Sequence, residues 1–104
     1  MTAEDILIRR LIGGDATAVA DVVTRARRTG EPAVLAAAAL VGPDGRELLA
    51  RASAAAVTTR DRQTVAIAAA RLAGDTDRLD VLARDHLADF PGNLLVAWIA
   101  SKEF

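Results

Sequence analysis

Apolar residues recur at intervals of three and four along most of this chain, and short polar or glycine-bearing breaks interrupt them. That spacing belongs to helices with one buried stripe, and no stretch alternates with the β-branched richness of a strand. Breaks and caps divide the pattern into seven predicted helices. The first runs from about Ala3 to Ile12, with Thr2 as N-cap and Gly13-Gly14 as stop. The second starts at Asp15, an N-cap by residue type, places Val19, Val22, Val23 and Ala26 on one stripe, and ends at Arg27-Arg28-Thr29-Gly30.

The third helix takes Pro32 in its first turn and covers AVLAAAAL before Gly42-Pro43; being apolar nearly all round, it should be central. The fourth follows Asp44, whose relation to Glu47 resembles a capping box, and buries Leu48, Leu49, Ala52, Ala55 and Ala56. The fifth begins near Thr59 with Val65, Ala66, Ala69, Ala70 and Leu72 as its apolar residues. The sixth, Asp75 to about Asp89, has its stripe at Leu79, Leu82, Ala83, His86, Leu87 and Phe90. The seventh runs from about Asn93 to Lys102. Turns this short make sequential helices lie antiparallel, and helices this short need packing to persist in water.

Composition narrows the picture. The chain has 104 residues, no cysteine and a formal net charge of -1. No disulfide framework or thiolate metal site is available, and the lack of cysteine fits a reducing, cytoplasmic setting. The near-neutral charge gives no general attraction for nucleic acid or acidic membranes. The start, MTAEDILIRRLIGGD, lacks the basic opening and unbroken apolar stretch of a secretory signal. The longest apolar run, AVLAAAALVG, falls far short of the ~20 residues that span a bilayer. Aromatic residues are confined to Phe90, Trp98 and Phe104, so small side chains and leucine dominate the expected core.

A repeat emerges from the turns. LIGGDATAVADVV, LVGPDGRELLARA and LAGDTDRLDVLAR align as helix end, turn and next helix start. The interval of about 30 residues is that of helical repeat arrays. Residues 60 to 93 resemble a tetratricopeptide repeat, with Ala66 and Ala69 in the first helix, Gly74, Asp75 and Asp77 at the turn, Leu87 in the second helix and Pro91-Gly92-Asn93 at the close. Gln63 stands where the family has a large aromatic, Ile67 where it has a small residue, and His86 where it has an alanine. The resemblance implies an all-α, right-handed α-α superhelix forming one domain, with approximate repeats 3–30, 31–58 and 59–91 and a terminal helix over 92–102. It also implies a non-catalytic protein-interaction or adaptor role, with Asp61, Thr64 and Arg71 facing a concave groove that takes another protein or peptide.

The chemistry-bearing residues offer little else. His86, the only histidine, lies on an apolar stripe, which suits an edge-of-core imidazole bonded to a backbone carbonyl or a carboxylate; the competing reading is a general base or pH sensor. Asp75, Asp77, Asp80, Asp85 and Asp89 serve the helix start or face solvent, and match no calcium loop. GGD and GPDG are turns, without the Lys-Ser/Thr of a P-loop. No cofactor, metal or catalytic group is implied. The final helix is apolar on nearly every side. Its residues Leu95, Trp98 and Ile99, with Phe104, suggest a homodimer interface; alternatively the helix folds back and buries Trp98 within one chain. A third reading, a small homodimeric nucleic-acid-binding regulator, would use Arg25, Arg27 and Arg28; the lack of interleaved aromatics argues against it.

Overall fold

Seven short helices are joined by tight turns in the computed structural model, which describes residues 2–101. They are α1 (Ala3–Ile12), α2 (Ala18–Ala26), α3 (Pro32–Val41), α4 (Gly45–Ala55), α5 (Thr59–Ala73), α6 (Thr76–Asp89) and α7 (Leu94–Ala100). No strand occurs among the described residues, and none of their helices is long and apolar enough to cross a membrane.

Local signals set most boundaries. Thr2 and Asp5 form a capping box at the start of α1, each side chain accepting the other's backbone N–H at 3.1 and 3.2 Å. Gly74 ends α5 in the left-handed region at φ 73°, and the Asp75 N–H reaches back to the Ala70 carbonyl at 3.0 Å. Asp75 then caps α6 by accepting from the Arg78 N–H.

Two expected caps differ. Asp15 accepts from the Thr17 N–H at 2.9 Å, but α2 begins only at Ala18, so Asp15 orders the turn rather than the helix start. Asp44 makes no capping bond and no capping box with Glu47. Its backbone is left-handed (φ 64°), whereas a capping side chain needs an extended backbone to reach the first turn. That turn swings α4 tightly onto its neighbours. A Cβ on Gly45 would lie 2.8 Å from the Ala39 carbonyl oxygen and 3.0 Å from a Leu72 methyl, so only glycine fits there.

α3 is the centre, as its composition predicted. Val34, Leu35 and Ala36 to Ala39 are all buried, and α3 packs against α1, α2, α4 and α5. In α2 the buried line is Ala18, Val22 and Ala26, and Val19 is exposed. In α5 the phase differs from the predicted one. Thr64, Val65, Ile67, Ala68 and Ala70 are buried, while Ala69 and Leu72 face outward. Alanine at so many positions gives the apolar pattern no contrast, and four neighbouring helices decide which side is covered.

The packing runs in series and then closes. Each odd-numbered helix touches the next odd-numbered one, and each even-numbered helix lies against the two odd-numbered helices that flank it. α7 packs on α5 and α6 and also on α1, so the two ends of the series meet. The body measures 31 × 27 × 26 Å, compact rather than extended along a stacking axis. Helices lined by alanine approach closely, and that closeness leaves α1 and α7 within reach of each other.

α7 folds back, and Leu95, Val96 and Ile99 are buried within the chain. Trp98 is half-buried and Leu94 stays exposed. Leu95 and Ile99, read from the sequence as a homodimer face, are thus interior, so pairing of two chains through them would require α7 to leave its seat. Phe104 lies outside the described residues.

Arg10 ties the first hairpin together. Its guanidinium donates to Asp15 at 2.8 Å, to the Thr17 hydroxyl at 2.8 Å and to Asp21 at 2.9 Å. Hydrogen bonding to Arg10, with help from Thr17, holds the Asp15 carboxyl down at about 2. Replacing Arg10 by Gln should return that carboxyl toward 3.8, its ordinary value, in an NMR titration. The phase of α5 has its own check by urea denaturation. Ile67→Ala should cost ~2–5 kcal/mol through the cavity it opens, and Leu72→Ala about 1 kcal/mol or less.

Candidate functional site

The first two turns of α1, α3, α5 and α7 converge around one cleft of about 560 Å³. α1 contributes Glu4, Asp5, Ile8 and Arg9; α3 contributes Glu31 and Ala33; α5 contributes Arg60 and Thr64; Asn93, Leu94 and Leu95 open α7. The volume is within the ~300–1,000 Å³ common for ligand pockets.

Helix starts explain the acids at the rim. Each helix carries partial positive charge at its N-terminus, and a carboxylate there is stabilised. Asp5 sits in the first turn of α1, Glu31 just before α3 and Asp61 in the first turn of α5. The Asp5 carboxyl is lowered by the Thr2 backbone and hydroxyl. Glu4 is lowered by its hydrogen bond from Arg25, whose Nη2 donates to Oε1 at 2.6 Å. Glu31 goes the other way. Partial desolvation raises it, and the charges of Asp61, Glu4 and Asp5 add to the rise.

The floor is polar and buried. Thr64, Asn93 and His86 are 2, 4 and 1% exposed, and among the described residues no buried side-chain polar atom lacks a hydrogen-bond partner. The bonds form one directed chain that can be read from its two ends, because a backbone N–H can only donate and a carbonyl can only accept. The Val96 N–H donates to Asn93 Oδ1 at 3.4 Å, capping α7. Asn93 Nδ2 therefore faces the other way, donating to Thr64 Oγ1 at 3.2 Å and to His86 Nε2 at 2.9 Å. Thr64 passes its hydroxyl proton to the Arg60 carbonyl at 2.8 Å. His86, with Nε2 accepting, carries its proton on Nδ1 and donates it to Gln63 Oε1 at 2.8 Å. The Phe90 ring stacks on the imidazole with centroids 4.9 Å apart.

This arrangement recasts the sequence-derived residues. Thr64 does line the cleft, but as its sealed floor, with its hydroxyl already committed twice. Asp61 is half-buried beside the cleft and acts on Glu31 through its charge. Arg71 is half-buried and lies roughly 10 Å further along α5, at the rise of a helix, away from the cleft residues. His86 is central rather than at the core edge, and its partners are two side-chain amides in place of a carbonyl or carboxylate. Neither nitrogen is presented to a substrate. Arg25 is engaged with Glu4, and Arg28 lines a separate notch of about 320 Å³ between α1 and α2 that also holds Ile6 and Arg10.

Sequence reasoning passed over Asn93 and the pairing of Gln63 with His86. A signal existed. Gln63 and His86 are two of the departures from the tetratricopeptide pattern, and they are bonded to each other across 23 residues. Among the described residues no group of three or more His, Cys, Asp or Glu is placed to hold a metal. No protein-family model, curated protein or solved structure matches the chain.

A double-mutant cycle tests the pairing. Gln63→Leu alone leaves the buried Nδ1–H without an acceptor and should cost ~1–3 kcal/mol. His86→Leu should cost a similar amount. Together they should cost less than the sum of the two, as denaturation midpoints will show.

Proposed function

We propose that the chain is a non-catalytic protein-interaction module that takes a segment of a partner protein in the cleft at the starts of α1, α3, α5 and α7. The observation that carries this reading is the cleft itself, walled by four separate helices over a hydrogen-bonded floor. A site built on several rigid elements holds its shape without a ligand, which lowers the ordering cost of binding.

The serial packing of odd-numbered helices supports a tetratricopeptide-like, right-handed α-α superhelix, short enough to close on itself through α1 and α7. In such a superhelix the first helix of each pair faces the concave side, and the cleft is the near end of that side. His86 and Gln63 then serve packing, and the Thr64 hydroxyl serves the floor.

The charge pattern favours a segment with a basic side chain. Glu31 is already strained by partial desolvation and by Asp61, Glu4 and Asp5, so a cation seated beside it relieves that repulsion. Arg9 and Arg60 stand on the same walls and can donate hydrogen bonds to the segment's carbonyl or carboxylate oxygens.

Affinity capture from the source lysate, followed by titration of segments of the captured partner, tests the proposal. Glu31→Lys should weaken binding of the segment about ten-fold, equivalent to ~1.4 kcal/mol, with the helical circular dichroism unchanged. Arg84→Glu, on the exposed side of α6, should leave binding as it was. Equal affinity of the wild type and Glu31→Lys would remove the cleft from the binding account. For stability alone, Glu31→Gln should raise it slightly at neutral pH, by ~0.5 kcal/mol or less, with the gain gone below about pH 4.5, where both states hold the proton.

A further inference from the structure

We propose that His86 is a proton-operated latch: α7 stays seated only while the imidazole is neutral, and taking up a proton releases it. The inference rests on the hydrogen-bond chain of the floor and holds whether or not a partner occupies the cleft.

Asn93 is both the N-cap of α7 and the donor to His86. Its amide has one oxygen and one nitrogen. The oxygen is fixed by the Val96 N–H, which leaves the nitrogen for His86 Nε2 and Thr64 Oγ1. Protonation puts a hydrogen on Nε2, since Nδ1 already holds one for Gln63. Two donors then confront each other at 2.9 Å.

Turning the Asn93 amide over restores a bond to His86, but it sets Nδ2 against the Val96 N–H and uncaps α7. Either way one buried donor is stranded. With only seven residues, α7 has little helical stability of its own. Its seat is held by Leu95, Val96 and Ile99, by Trp98 packed against the core, and by this cap. Because Asn93, Leu94 and Leu95 also wall the cleft, release of α7 opens one side of it.

The charged surroundings agree. From α5, Arg60 disfavours a second positive charge, and from α6, Asp89 partly favours it. Between Leu94 and Ala100, α7 presents no ionisable side chain. Burial is the larger influence, and with Arg60 it holds the imidazole below its ordinary 6.5. A base depressed in the folded state binds fewer protons there than when freed. The latch is therefore at full strength above pH 6.5 and weakens as pH falls through and below that value.

Trp98, the only tryptophan, sits on α7 and reports directly. The test follows Trp98 fluorescence and backbone amide NMR of the intact chain from about pH 7.5 to about pH 4.5, the range in which histidine changes charge. The expected result is a red shift of Trp98 and loss of dispersion in the α7 amides at a midpoint below 6.5, with the amides of α2 to α4 unchanged. In His86→Gln, which can accept from Asn93 and donate to Gln63 but cannot titrate, that transition should be absent. In Asn93→Asp, the carboxylate can accept from both Val96 N–H and a protonated Nε2, so α7 should remain seated and the imidazole should titrate above 6.5. The proposal is overturned if His86 titrates in the wild type while α7 is undisturbed, if α2 to α4 are lost together with α7, or if either variant keeps the wild-type transition.

Discussion

The side-chain amide of Asn93 makes three hydrogen bonds to three parts of the chain: the Val96 N–H of α7, the Thr64 hydroxyl of α5 and the His86 imidazole of α6. Without them the Val96 N–H, the His86 Nε2 and both ends of the Asn93 amide would be buried without partners. A buried polar group left unsatisfied costs ~1–3 kcal/mol, a large share of the 5–15 kcal/mol by which domains are stable. The network therefore has to be complete to be an asset. It is complete here, since each donor in it meets an acceptor. Its direction is also forced, because it begins at a backbone N–H and ends at a backbone carbonyl.

That polar junction sits at one end of a core made mainly of small aliphatic side chains. α3 is covered on almost every side, and alanines at 36 to 39 let its neighbours come close. Close approach shapes the whole. The helices follow one another in series, as the repeat in the sequence suggests, yet the body is nearly as deep as it is long, and α1 meets α7. Seven short helices expose too much apolar surface as an open stack. Bringing the two ends together covers part of it, and the starts of the odd-numbered helices then surround a cleft instead of lining an open face.

Much of this architecture was legible in the sequence, and the reasons are specific. Thr2, Gly74 and Asp75 act through local backbone chemistry, so the boundaries they set follow from neighbouring residues alone. Asp44 did not behave so simply, because its backbone conformation is set by the packing of Gly45 against α3 and α5, which the local sequence does not report. The face of α5 was misread for a related reason. Alanine occupies positions on every side of that helix, so the pattern admits more than one buried face; Ile67, the largest apolar side chain fully buried there, lies off the predicted face, and the buried Thr64 is not apolar. Of the site, Thr64 and Asp61 were reached through the family resemblance, and His86 through its place on an apolar stripe. Their connection was not. Gln63 lies 23 residues before His86, Asn93 follows His86 by seven residues beyond the end of α6, and each has an ordinary local explanation: a helix surface amide, a core-edge imidazole, a turn asparagine. Only when Gln63 and His86, two of the three departures from the repeat pattern, are considered as a pair does the interior bond between them become expected.

The central claim is the direction of the hydrogen bonds around His86, and nitrogen-15 NMR reads it without ambiguity because the chain has one histidine. Long-range proton–nitrogen correlation at neutral pH distinguishes a protonated ring nitrogen from a bare one. A proton on Nδ1 with Nε2 bare is the outcome required by the chain running from Val96 to Gln63. A proton on Nε2 with Nδ1 bare would mean that Asn93 faces the opposite way, does not cap α7, and does not join the three helices as described.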